Sequence, residues 1–127
     1  MASLEEKKVK LGEIAAATDS ELLAGDGESD VRVERFIGSN RISALLCRAS
    51  DKTLIVTSLS GTQLLRVAQL MEVPGICLAD GLSPDIEFVQ KAAASGLILI
   101  KSPFSIAEIC RRLLEEIGMQ GEMDDCN

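Results

Sequence analysis

Three short apolar segments, TLIVTS (53–58), GICLAD (75–80) and LILIKS (97–102), begin 22 residues apart, and each is followed by apolar residues at helical spacing. That recurrence of strand then helix constrains the fold more than any other feature of the chain. Parallel strands cannot be joined by a tight hairpin; they need a crossover of a dozen or more residues, which a helix supplies. The segments are apolar at nearly every position, as expected when helices cover both faces of a parallel sheet. The expected fold class is α/β, a single three-layer domain with a mostly parallel sheet built from consecutive βα units.

After Ser58, the residues Leu64, Val67, Ala68 and Met71 make one helical stripe, stopped by Val73-Pro74-Gly75. In the next unit Ser83 is the expected N-cap and Pro84 the first helical residue, with Ile86, Val89 and Ala93 facing inward and Gly96 just past the end. Ser105 and Glu108 have capping-box spacing ahead of Ile106, Ile109, Cys110, Leu113, Leu114 and Ile117, and Gly118 closes that helix. Upstream, Leu11, Ile14 and Ala15 predict a short helix within 9–17, and 21–24 a short strand before the turn-rich GDGESD (25–30). The run 31–37 reads as a strand, followed by a short helix capped by Ser39 or Asn40 and reaching Ala49. Residues 1–8 are expected as a flexible lead, 9–118 as the domain, and 119–127 as an acidic tail without regular structure.

Composition removes several function classes. Among 127 residues, 20 acidic and 13 basic side chains give a net charge of −7, and the basic residues do not cluster: Arg32 and Arg35, Arg41 and Arg48, and Arg111 with Arg112 are scattered. Such a surface repels phosphate backbones, so nucleic acid is not an expected partner. Phe36, Phe88 and Phe104 are the only aromatic residues, too few for a base-stacking or sugar-binding platform. Histidine is absent, which excludes histidine general bases and triads. Cys47, Cys77, Cys110 and Cys126 form no CxxC pair, so no metal site is expected. Cys77, mid-strand, and Cys110, on an apolar helix face, read as reduced buried thiols. No leader-like apolar segment and no run of about 20 apolar residues is present, so the chain reads as cytoplasmic with no membrane partner.

Ligands of open parallel sheets bind beyond the carboxyl ends of the strands. Here those ends carry Ser58, Ser60, Gly61 and Thr62, then Asp80 and Gly81, then Lys101 and Ser102. This rim of hydroxyls, glycines, one carboxylate and one ammonium is the expected ligand site, and the helix N-termini beyond it favour an anionic group. The plainer alternative makes Ser60 or Thr62 an N-cap, Gly61 and Gly81 turn residues, Asp80 the organiser of its own loop, and Lys101 a solvated charge. SLSGT lacks the spacing and lysine of a phosphate-binding Walker loop, and no GxGxxG is present. No carboxylate pair and no nucleophile with a base stands out, so no catalytic residue is assigned and an enzyme is not expected. The sequence singles out no cofactor.

KSPFSIAEIC (101–110) and LADGLSPD (78–85) are superficially similar to segments of two-component receiver domains. Ser102 splits the Lys-Pro pair, however, and only about 20 residues separate Asp80 from Lys101, too few for the two intervening units of a receiver. The ordered series KLGEIAAATDSELLAG, VRVERFIGSNRISALL and DKTLIVTSLSGTQLLRVAQLMEVPGICLADGLSPDIEFVQKAAASGLILIKSPFSIAEICRRL instead resembles the DRTGG domain family across about 9–118, although the string that names the family is absent. The resemblance implies a small, usually non-catalytic α/β module that accompanies phosphotransacetylase or paired CBS domains in larger proteins and commonly dimerises. Stand-alone modules similar to this one lie beside iron-only hydrogenase genes in anaerobes. The implied function is a homodimeric regulatory domain binding a small anionic, nucleotide-like ligand or a partner protein at the rim. The alternative is an accessory subunit of a hydrogenase-type redox assembly holding no small ligand. A third reading is an enzyme on a phosphorylated substrate, anchored by Asp80 and Lys101.

Overall fold

The structure, a computed structural model, describes residues 8–26 and 30–124. In chain order the elements are β1 (Val9–Lys10), α1 (Leu11–Ala17), β2 (Glu21–Ala24), β3 (Arg32–Val33), β4 (Arg35–Gly38), α2 (Ile42–Arg48), β5 (Thr53–Thr57), α3 (Thr62–Leu70), β6 (Gly75–Leu78), α4 (Ile86–Ala94), β7 (Ile98–Lys101), α5 (Ile106–Arg112) and β8 (Gln120–Met123). A π-helical turn, Leu113–Ile117, continues α5 to Gly118, which has φ 82°.

The repeated segments β5, β6 and β7, with β4 beside β5, form the interior of a six-stranded sheet of order β2-β7-β6-β5-β4-β8. From β4 to β7 each strand lies parallel to the one before it. Stepping always in one direction keeps α2, α3 and α4 on a single face. Leu45, Leu64 and Phe88 from those helices pack there on Ile37, Ile55, Ile76 and Leu99. α5 then carries the chain back across the opposite face, where Ile109 and Leu113 join Leu11 and Ile14 of α1 over Phe36, Leu54, Val56 and Cys77. The alternation of the two core clusters along each strand follows from the two-residue side-chain period. The three-layer, mostly parallel arrangement agrees with the sequence expectation, with β2 antiparallel to β7 at one edge.

Several local expectations need correction. The run 31–37 is two strands: β3 pairs antiparallel with β1, whereas β4 pairs with β5. The break falls at Glu34, where the N–H groups of Glu34 and Arg35 both donate to the Lys52 carbonyl, at 2.8 and 3.3 Å. Val9 and Lys10, expected in the first helix, belong to β1. α2 is capped by neither Ser39 nor Asn40, its N-cap residue being Arg41. Ser39 accepts the Arg41 N–H at 2.9 Å, while Asn40 turns to β5. α4 starts two residues later than expected, because the Asp85 carboxylate accepts the Phe88 N–H at 2.9 Å and Asp85, not Ser83, is the cap. The inward stripe therefore centres on Phe88 and Ala92, with Val89 partly buried against the core as expected, while Ala93 is exposed and Ile86 is left 73% exposed. Beyond Gly118, part of the expected tail is the edge strand β8, parallel to β4. Its residues are exposed, and backbone pairing with β4 together with an Arg48–Glu122 ion pair at 2.7 Å holds it. Gly121 lies flat beneath Phe36, whose ring occupies the space a Cβ would need.

Candidate functional site

α4 enters β7 from one face and α5 leaves it over the other, so the direction of winding reverses between β6 and β7. In open α/β sheets this is where a crevice opens for ligands. Here the crevice is stitched shut. Ala79 to Leu82 form a type I′ turn: Asp80 and Gly81 have φ of 62° and 63°, and the Leu82 N–H donates to the Ala79 carbonyl at 3.1 Å. Across the seam, Asp80 N–H donates to the Phe104 carbonyl at 2.7 Å and Gly81 N–H to the Ser102 carbonyl at 2.8 Å. Lys101 Nζ donates to Ser83 Oγ at 3.1 Å, above the same seam.

Ser102 differs from the other rim hydroxyls. It is 0% exposed; its Oγ donates to the Thr18 carbonyl at 2.7 Å and accepts the Phe104 N–H at 3.1 Å. Its hydroxyl ties α1 to the β7–α5 loop and presents no face to a ligand. Arg112 fixes the same loop from outside, with its guanidinium 4.0 Å over the Phe104 ring and donating to the Ala17 carbonyl at 3.3 Å.

The rim after β5 is built differently. Asn40 organises its first part: Oδ1 accepts Thr57 Oγ1 and the Ser58 N–H, both at 2.8 Å, and Nδ2 donates to Ser58 Oγ at 2.7 Å. Ser60 and Thr62 are exposed, and the N-cap position expected of one of them belongs to Gly61 at φ 123°. Glycine adopts that angle without strain and brings no side chain to the cap, so nothing of its own covers the first N–H groups of α3. A cleft of about 110 Å³ opens at this point, lined by Gly61, Thr62, Leu65, Asp85, Glu87, Phe88 and Lys91. Lys91, which the sequence reading missed, pairs with Glu87 at 3.3 Å. Its signal was faint: a lysine four residues after a glutamate reads as an ordinary helix pair. The eight predicted residues thus fall into two groups, Ser58, Ser60, Gly61 and Thr62 after β5, and Asp80, Gly81, Lys101 and Ser102 at the β6/β7 seam. A larger cleft, about 390 Å³, lies at the opposite end of the sheet beside Glu72, Pro74 and Gly96.

Burial pushes the Cys77 and Cys110 thiols up to about 12, Cys77 against a weak opposing bond from Ser20. Thiols held that high are protonated and unreactive at neutral pH. Alkylation of the native protein is expected to label Cys47, which is exposed, and to reach Cys77 and Cys110 only on unfolding. Mass spectrometry of the labelled peptides checks this; native labelling of Cys110 as fast as Cys47 would refute it. Cys126 lies outside the described residues. On α5, hydrogen bonds from Arg111 and Arg112 pull the Glu108 carboxyl down to about 2. Among the described residues, no cluster of three or more metal-ligating side chains occurs and no helix is long and apolar enough to cross a membrane.

No protein-family model matches the chain, and no curated protein matches it in sequence. Among solved structures, it is similar to the CBS and DRTGG domains of the regulatory region of Clostridium perfringens pyrophosphatase, complexed with the activator diadenosine tetraphosphate. The TM-score is 0.66 at 14% identity, over 88% of this chain and 50% of that one. The chain therefore spans about half the length of this neighbour. At that identity the likeness is one of fold, and at that level it agrees with the DRTGG resemblance.

Proposed function

We propose that the chain is a regulatory, ligand-sensing domain that performs no chemistry itself, works as a homodimer, and binds a small anionic, nucleotide-like ligand at the carboxyl rim of the sheet. The observation that carries this reading is the N-terminus of α3, where a glycine cap leaves the helix end open beside a cleft bordered by Thr62, Asp85 and the Glu87–Lys91 pair, whose ammonium an anion would share. Helix N–H groups with a nearby ammonium suit a phosphate oxygen. In this reading Ser60, Gly61, Thr62 and Lys91 hold the anion, Ser58 shapes the loop, and Asp80, Gly81 and Lys101 border the rest of the ligand. Ser102 supports that border from beneath. The pyrophosphatase neighbour, a regulatory region with a dinucleotide polyphosphate activator, lends the reading support through its fold.

The test is a dye-based thermal-shift screen against mononucleotides, diadenosine tetraphosphate and acyl phosphates. A ligand at about 100 times its Kd raises the unfolding free energy by about 2.7 kcal/mol. The expected result is an upward shift that Lys91→Ala and Thr62→Ala diminish. Silence with every compound would sink the sensing role.

One observation favours the second reading, an accessory subunit of a redox (hydrogenase-type) assembly. Leu70, ending α3, and Ile86, opening α4, are 72% and 73% exposed, and a cleft of about 300 Å³ lies between those two helices. A stable co-purifying complex together with a silent ligand screen would decide for it.

A further inference from the structure

β8 is seated unlike the other strands of the sheet. All four of its residues are exposed, and it pairs with β4 alone, from Arg35↔Gln120 to Gly38↔Met123. Its side-chain ties are polar: Arg48 donates to Glu122 at 2.7 Å, Arg41 faces Asp124 at 3.6 Å, and Ser39 donates to Asp124 at 3.3 Å. The Arg48–Glu122 pair is exposed and adds little hold, whereas the Asp124 side chain is 13% exposed and its N–H donates to the Gly38 carbonyl at 2.7 Å, so the firm anchor lies at the far end of the strand. A surface cleft of about 360 Å³ runs along the seam, bordered by Arg35, Arg48, Gln120 and Glu122, with the Phe36 ring packed on Gly121 at its floor. The strand hangs from a two-residue connection, Gly118-Met119, in which Gly118 sits in the left-handed region.

The seat itself is specific. Opposite Phe36 only glycine fits, and the two arginines call for a carboxylate one residue after that glycine and another two residues further on. The chain's own Gly121, Glu122 and Asp124 satisfy that pattern, and so does the same segment of a second copy. We infer that β8 is exchanged between two copies, the β8 of each pairing with the β4 of the other and the connection opening at Gly118. The inference rests on the homodimeric reading above and names its surface. The same strand contacts form within one chain or between two, so hinge conformation and protein concentration set the balance; short connections favour exchange.

The test uses full-length chains with Cys47 and Cys126 replaced by serine. One carries Arg35→Cys and the other Gln120→Cys, two positions directly opposed across β4 and β8. The chains are mixed at high concentration, equilibrated and mildly oxidised. Exchange predicts a disulfide-linked species of doubled mass containing one of each, absent when either is oxidised alone. A dimer that gives no mixed disulfide, while Arg35→Cys/Gln120→Cys in one chain closes internally, overturns the exchange and leaves the homodimer standing. A monomer at every concentration overturns both. Should the cysteine variants fold poorly, Arg48→Glu mixed with Glu122→Arg provides a second readout. Only an exchanged heterodimer restores both ion pairs, so native mass spectrometry shows it enriched over either homodimer; random mixing overturns the exchange.

Discussion

Phe36→Ala is expected to lower the unfolding free energy by about 3–5 kcal/mol, the range for removing a buried aromatic side chain. Phe36 is 1% exposed in the core cluster under α1 and α5, so the transfer and cavity contributions both apply. It also covers Gly121 on β8, which gives the prediction a second part. Gly121→Ala alone places a Cβ inside the ring and is expected to destabilise by about 1–3 kcal/mol, as overpacking does. In the Phe36→Ala background that ring is gone, and the same alanine becomes nearly neutral. Urea denaturation followed by far-UV circular dichroism, suited to a chain without Trp or Tyr, measures all four proteins. Additive effects in this cycle would mean that β8 does not lie against Phe36.

Ser102→Ala is expected to destabilise by about 1–3 kcal/mol, because it strips partners from the Thr18 carbonyl and the Phe104 N–H. Ligand affinity at the rim should stay unchanged once the variant is folded. A loss within about 0.5 kcal/mol, typical of surface positions, together with a weakened ligand response, would return Ser102 to the binding site. The contrast matters because sequence treats Ser102 and Ser58 alike, as hydroxyls at strand ends. One anchors to a carbonyl 84 residues away in the chain; the other bonds to the loop beside it.

That contrast marks the limit of what can be read locally. β5, β6 and β7 announce themselves because both faces are buried, so nearly every residue is apolar. β8 announces nothing: Gln120, Gly121 and Glu122 form a strand because β4 offers an open edge and Phe36 leaves room for no larger residue. The cap of α4 is expected at Ser83, but Asp85, two positions on, is an equally competent cap. A distant side chain, Lys101, engages Ser83 and leaves Asp85 to the helix. At the rim, the sequence located the loops but could not show that backbone bonds close the β6/β7 seam, nor that Lys91 lines the cleft beside the α3 N-terminus.

The order of the sheet also bears on how the chain is born. β5, β6 and β7 each find a partner in the strand made just before, so the central sheet can assemble as it leaves the ribosome. The outer edge of β4 waits for β8, and 85 residues separate Ser39 from Asp124. At about 5–20 residues per second, that edge stays open for roughly 4–17 s during translation. Two nascent chains on one polysome would meet during that interval with both β4 edges still vacant.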